Sequence, residues 1–342
     1  MRAAVLCAPS VKSAVAATAV KGCLPMPALT SIFGSVQWTG SVVLGLCYVA
    51  AVLGVFLTFR VLNFPDLTIE GSFPLGAVLA GSLIANAGWP HWATLPVALL
   101  GGGLAGVLTG LLATRLKING LLASILVMIA LYSVNLRILG LRSNLPLLDA
   151  DTIFAPARGW LLAVFGPGLS GGLALRYAAI AVLLMLAAAL IAALHWFLNT
   201  DLGLALRAVG DNEAMAGAQG IDADAMKITG LALSNGLIAL SGALLAPYQG
   251  FADVSIGRGL IVVGLASVII GEVLLRPQRL GAALVAVALG SLVYRLFVTL
   301  ALTYTGRIGL QETDLQLVTA LIVIAAMAVP QLRSGLGAQG RF

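Results

Sequence analysis

The stretch Asn199–Lys227, NTDLGLALRAVGDNEAMAGAQGIDADAMK, is the long polar run between two strongly apolar segments of this sequence. It holds Asp201, Arg207, Asp211, Glu213, Asp222, Asp224 and Lys227, in a chain of 342 residues that is 60% hydrophobic and 9% charged. Residues 177–198 before it and 228–246 after it each reach the length of about 20 apolar residues that carries a helix across a bilayer. A compact polar insert between two spans is where a membrane protein meets a soluble partner. Within it, Asp211 is placed to cap a short helix over 212–219, Gly220 to stop it, and Asp222 to cap the next start.

Outward from that insert the chain is apolar throughout. A mean hydropathy of +1.06 excludes a soluble domain, and the continuous apolar runs, without alternation of period two, disfavour a membrane barrel. The fold class expected is an all-α polytopic membrane protein with nine transmembrane helices, near 41–59, 72–88, 93–114, 120–140, 177–198, 228–246, 258–275, 280–303 and 315–330. The segments near 72 and 258 are short enough to be discontinuous or re-entrant. A transmembrane domain over 41–330 then lies between an N-terminal extension, 1–40, and a tail, 331–342. Residues 1–25 lack a signal-peptide core, and Met26 is the expected start of translation.

Orientation follows from lysine and arginine in short connections. With 199–227 in the cytoplasm, Arg60, Arg115, Lys117, Arg207, Lys227, Arg276, Arg279, Arg333 and Arg341 share its side. Arg137, Arg142, Arg158, Arg176, Arg258 and Arg307 fall on the other. The net charge of +6 is thus accounted for by the bilayer and calls for no nucleic acid. The loop 141–176 reads as external, with a short interfacial helix around Trp160. Trp89 and Trp92, flanking Pro90 and His91, read as interfacial anchors, and Glu272 as a local ion-pair partner just before Arg276. Cys7, Cys23 and Cys47 are too scattered for disulfides or metal, and His91 and His195 stand alone, so neither a metal nor a catalytic site is expected.

Two segments share a pattern. Phe64-Pro65-Asp66-Leu67-Thr68-Ile69 and Phe251-Ala252-Asp253-Val254-Ser255-Ile256 each read Phe, any residue, Asp, branched aliphatic, hydroxyl, Ile. On the nine-span count the first follows span one and the second span six, an odd offset that inverts one half relative to the other. Inverted repeats with interrupted helices in matching places mark transporters and point to the substrate path. Pro65, Gly71 and Pro74 break helix continuity, and freed backbone at membrane depth must line a cavity or be buried in protein. Asn63, Asp66, Thr68, Glu70, Asp253 and Ser255 are therefore candidates for that path, as are Asn135 and Asn235 within other spans; helix capping and interhelical hydrogen bonding are the competing readings.

The chain has no phosphate loop of the Gly-x-x-x-x-Gly-Lys-Ser/Thr type. If the chain drives transport, the energy comes from a partner or an ion gradient. Here a resemblance enters. Thr200, Gly203, Arg207-Ala208, Asn212, Ala216 and Gly220-Ile221 resemble the cytoplasmic motif of permease subunits in ATP-binding cassette importers of the branched-chain amino acid and ribose type. FRVLNFPDLTIEGSFPLG, 59–76, and YQGFADVSIGRGLIVVGLASVIIGE, 248–272, resemble the signatures of a subfamily of amino acid permeases that includes tryptophan-type uptake systems. Asn63-Phe64-Pro65-Asp66-Leu67 stands where the branched-chain subfamily has Asn-Phe-Ala-His-Gly, so ligand preference does not carry over.

The resemblance implies a permease of the bacterial inner membrane, not an enzyme, with a second permease chain as a homodimer. It also implies a cytoplasmic ATP-binding subunit that holds ATP and Mg, and a periplasmic or lipoprotein substrate-binding protein. Arg207, Asp211, Asn212, Glu213, Ala216, Gly220 and Ile221 would then couple the permease to the ATPase. An ion-coupled secondary transporter and a non-transporting membrane scaffold are the alternatives.

Overall fold

The computed structural model describes residues 35–147 and 171–308. The start at Met26, Cys7 and Cys23, the helix around Trp160, the span 315–330 and the tail 331–342 lie outside the described residues. Helix α1, Ser35–Phe56, continues directly into a π-turn, Leu57–Val61. Then follow α2, Ile69–Ala87, α3, His91–Thr114, α4, Gly120–Ile138, and a short strand β1, Asn144–Pro146. After the undescribed stretch come α5, Gly171–Leu198, α6, Asp201–Asp211, α7, Glu213–Ala218, and α8, Ala223–Gln249. Strand β2, Phe251–Asp253, precedes α9, Leu260–Leu275, and α10, Leu280–Ile308.

The chain is a helical polytopic membrane protein. Among the described residues six helices are long and apolar enough to cross a bilayer, within α1, α3, α4, α5, α8 and α10. The nine-span expectation exceeds that count. Helix α9 has only 16 residues, and α2 is diluted by Glu70, Pro74 and Asn86. The all-helical expectation also needs one amendment. Strands β1 and β2 pair antiparallel, Leu145 opposite Ala252, with Leu147 N–H donating to Gly250 O at 2.7 Å and Val254 N–H to Ser143 O at 3.1 Å. Backbone that leaves helix near the bilayer must find partners inside the protein, and the 143–147 segment supplies them.

The core is built by two helices that are each embraced by the other half of the chain. Helix α8 is buried almost without interruption from Gly230 to Pro247. It runs antiparallel to α3, where Gly102, Gly106 and Gly110 meet the α8 backbone at Asn235, Leu231 and Ile228. It runs parallel to α2, with Gly76 against Ala239. Helix α1 is packed in the matching way. Gly45 lies against Leu292 of antiparallel α10, and Val55 lies against Gly264 of parallel α9. Small residues at these crossings let backbones approach, which is how helices associate when lipid offers no hydrophobic contrast. Helices α4 and α5 are the least covered, with 28% of each candidate window buried, and turn leucines outward.

A Cβ on Gly106 would overlap the Leu231 carbonyl, whereas on Gly103 it would sit 3.5 Å from Ala232 O, an ordinary contact. Gly106→Leu is therefore expected to lower the melting temperature of the detergent-solubilised protein or to send it to the void volume on gel filtration. Overpacking costs about 1–3 kcal/mol even where side chains can yield, and here backbone faces backbone. Gly103→Ala should melt as the wild type does.

Candidate functional site

The polar insert folds as two helices laid against the ends of the spans. Thr200 caps α6, its Oγ1 accepting from Gly203 N–H at 3.4 Å. Helix α6 buries Gly203, Leu206 and Val209. Leu206 reaches Gly230 at the start of α8, and a Cβ on Gly210 would overlap the Val61 carbonyl at the end of the π-turn. Helix α7 is capped by Asn212, whose Oδ1 accepts from Met215 N–H at 3.0 Å. The expected cap, Asp211, instead ends α6: an extended residue is required between the two helices, and Asn212 with φ −157 is that residue. Gly220, φ +83, terminates the turn, and Asp222 Oδ1 caps α8 through Ala225 N–H at 3.1 Å.

Helix α7 buries Ala216 and exposes almost everything else, including Met215 at 64%. Glu213 pairs with Lys227 at 2.6 Å. Both line a cavity of about 400 Å³ together with Lys117, Asp224 and Phe64. Arg207 is half-buried, and Ile221 is too. The coupling candidates thus lie along α6, α7 and the turn that follows, most of them exposed. Nearby, Arg60 holds Glu272 through two hydrogen bonds of 2.7 and 2.6 Å. Glu272 is thus an ion-pair partner, its partner being Arg60 from the π-turn, while Arg276 ends α9 in the left-handed region, φ +43.

The paired motifs fold alike. Asp66 Oδ1 accepts from Thr68 N–H at 2.8 Å, and Asp253 Oδ1 accepts from Ser255 N–H at 2.6 Å. Each turn leads within a few residues to a helix start, and the two starts meet, where Glu70 Oε1 accepts from Gly259 N–H at 3.0 Å. Asn235 lies twelve residues into α8, so it sits about 18 Å from the face that carries α7. That depth is near the middle of a hydrocarbon core about 30 Å thick.

Most of the polar path candidates near Asn235 are consumed by one another. Asp66, Thr68, Ser72 and Asn235 are fully buried. Asn235 Nδ2–H donates to Asp66 Oδ2 at 2.7 Å, Ser72 O–H donates to Asn235 Oδ1 at 2.7 Å, and the Thr68 and Thr109 hydroxyls share a bond of 2.7 Å. The group braces α2, α3 and α8 together. Asn63 is exposed at the end of the π-turn with φ +51, and Asp253 and Ser255 are half-buried in their own turn.

Glu70 and Asn135 are different. Both line a cavity of about 350 Å³ with Gly71, Pro74, Tyr132 and Arg258. Asn135 is fully buried and its Nδ2–H donates to Gly71 O at 3.2 Å, yet its Oδ1 has no partner. Pro74 lacks the N–H that would close a helical bond to Glu70 O, and Gly257 packs so close that a Cβ would overlap that carbonyl. Reading the sequence placed Arg258 in an external connection. The structure puts it on this cavity, because the chain turns back after β2 before α9 begins. Its position two residues after the second motif, within the segment 248–272, was the available signal. Met215 was likewise passed over, being an apolar residue within a polar run.

The family model described as "Branched-chain amino acid transport system / permease component" matches residues 38–327. Among curated relatives, a tyrosine transport system permease protein of Clostridioides difficile is 39% identical over 284 residues, covering 83% of this chain and 88% of that one. An uncharacterised protein of Rickettsia prowazekii is 29% identical over 279 residues, 81% of this chain and 91% of its own. An autoinducer 2 import system permease protein of Escherichia coli is 29% identical over 262 residues, 73% of this chain and 65% of its own. No solved structure matches the chain.

Proposed function

Because the chain belongs to the family of branched-chain amino acid transport system permease components, we propose that two copies of it form the membrane path of an ATP-binding cassette importer. The protein is a multi-pass permease subunit of the inner membrane, and it moves a small polar solute. A separate cytoplasmic subunit binds and hydrolyses ATP with Mg, and a periplasmic or lipoprotein binding protein delivers the solute. An amino acid is the solute favoured by the name of the C. difficile relative.

The observation that carries the coupling role is α7, a short capped helix that exposes Met215 while anchored through α6 to Val61 and Gly230. A push on α7 therefore reaches the end of α1 and the start of α8, the central helix of each half. What supports two inverted halves is the matching pair of Asx turns and the reciprocal packing of α1 and α8. Helices α2 and α9, each entered from an Asx turn, are then the interrupted members of the two halves. Rocking one half against the other would open the contact between Glu70 and Gly259.

Purification tests the reading. The chain is expected to co-isolate with a nucleotide-hydrolysing subunit, and deletion of 213–221 should abolish that association. Uptake by this chain alone in proteoliposomes, driven by a sodium or proton gradient, would overturn the reading in favour of a secondary transporter. Absence of flux with either energy source would leave a scaffold.

A further inference from the structure

Transport of a solute delivered by a binding protein does not require the permease to recognise it. The cavity between α2, α4 and the turn before α9 nevertheless carries a specific set of groups. Glu70 offers a carboxylate, with one oxygen engaged by Gly259 N–H at 3.0 Å. Arg258 is exposed on the cavity, and its guanidinium has no ion-pair or hydrogen-bond partner among the described residues. Asn135 Oδ1 is buried without a partner, although leaving such a group unmade costs about 1–3 kcal/mol. The carbonyl of Glu70, deprived of its helical donor by Pro74, is a further acceptor. Met128, Ile129 and the ring of Tyr132 complete the lining.

We infer that this cavity is an intramembrane recognition site for the α-amino carboxylate group of an amino acid zwitterion. The inference rests on the importer reading and deepens it. Arg258 donates a forked pair of N–H bonds to the carboxylate, the geometry in which guanidinium is strongest. The ammonium donates to the Glu70 carboxylate and to Asn135 Oδ1. The side chain of the solute lies against Tyr132 and the aliphatic residues. Opposite charges lining one cavity discriminate against ligands that bear only one of them, because each missing group leaves a charge unpaired. At about 350 Å³ the space falls at the lower end of small-molecule sites. Asn135 lies fifteen residues into α4, about 22 Å from its cytoplasmic start, so a solute bound there is partway through the membrane.

The test uses the full-length permease purified in lipid nanodiscs. Binding of proteinogenic L-amino acids is measured, each beside its decarboxylated amine and its deaminated acid; L-tyrosine, tyramine and 3-(4-hydroxyphenyl)propionate form one such set. Wild-type protein is expected to bind at least one amino acid about tenfold or more tightly than either analogue, a loss of one charge-assisted contact. Arg258→Gln should weaken the amino acid but spare the amine, and Glu70→Gln should weaken it but spare the acid. A merely structural role would depress all three ligands together. Equal losses, or no amino acid binding to wild-type protein, would overturn the assignment. Association with the ATP-hydrolysing subunit is scored on the same variants; its persistence alongside unselective binding would sink the recognition site and leave the importer reading intact.

Discussion

Asn235→Leu is expected to leave almost no folded permease in the membrane. The amide of Asn235 donates to Asp66 Oδ2 and to Leu231 O, and accepts from Ser72. Every side chain in that set is fully buried, so water cannot stand in for the missing amide. Leucine would strand the second oxygen of Asp66 and the hydroxyl of Ser72, each a loss of about 1–3 kcal/mol and more if the carboxylate is charged. Against a total stability of about 5–15 kcal/mol for an ordinary domain, two such losses are decisive. Asp66→Asn is the informative companion. It retains an oxygen for Thr68 N–H. If the Asn235 amide flips, its Oδ1 accepts from the new Nδ2–H while its own Nδ2–H donates to the Ser72 hydroxyl. Only the bond to Leu231 O is lost, so a fall of about 1 kcal/mol is expected. Thermal melting of the purified variants, read by intrinsic fluorescence, distinguishes the two. Equal melting temperatures would show that the cluster is ornamental.

Met215→Glu is expected to do the reverse, preserving the fold and abolishing coupling. Met215 is 64% exposed on a helix whose inward residue, Ala216, is 3% exposed. A glutamate there stays largely in solvent, so the melting temperature should hardly move. If α7 seats in a groove of the ATP-hydrolysing subunit, burying an added charge at its centre should weaken association about tenfold or more, as changes at interface anchors do. Ala216→Asp supplies the contrast, since it forces a carboxylate into the contact beneath α7 and should lower stability first. The measurements are pull-down affinity and ATP hydrolysis by the assembled complex. Unchanged coupling in Met215→Glu would move the docking face elsewhere on the insert.

Much of this arrangement was legible in the sequence because lipid enforces a simple code. Long apolar runs announced the helices from 177–198 and 228–246, and the polar insert between them was visible by contrast alone. Gly220 and Asp222 were readable as punctuation, since few residues tolerate φ +83 or cap a helix well. The cap at Asn212 was misplaced by one residue because Asp and Asn are equally good caps, and only the bend between α6 and α7 decides between them. The likeness of Asp66 and Asp253 was legible, but its use was not. One aspartate is fully buried in a polar cluster and the other half-buried in its own turn, a difference set by neighbours distant in the chain. The cavity was beyond reach for the same reason. Glu70, Asn135 and Arg258 come from three separate segments, and the residue between them in sequence says nothing of their convergence.

The reciprocal grip of the two halves also sets an order of events during synthesis. Helix α1 is apolar enough, at a mean hydropathy of 2.5 in its best window, to wait in lipid on its own. Helix α2 is not: with Glu70 and Pro74 in its first turns and its partners on α8 still unmade, it has no stable lodging in the bilayer. At about 5–20 residues per second, the ribosome needs on the order of ten seconds or more to travel from Ile69 to Gln249. For that interval the second helix must be sheltered by the insertion machinery or remain at the surface. Biogenesis, not transport, is then the step most exposed to mutations in α8 that leave every solute contact untouched.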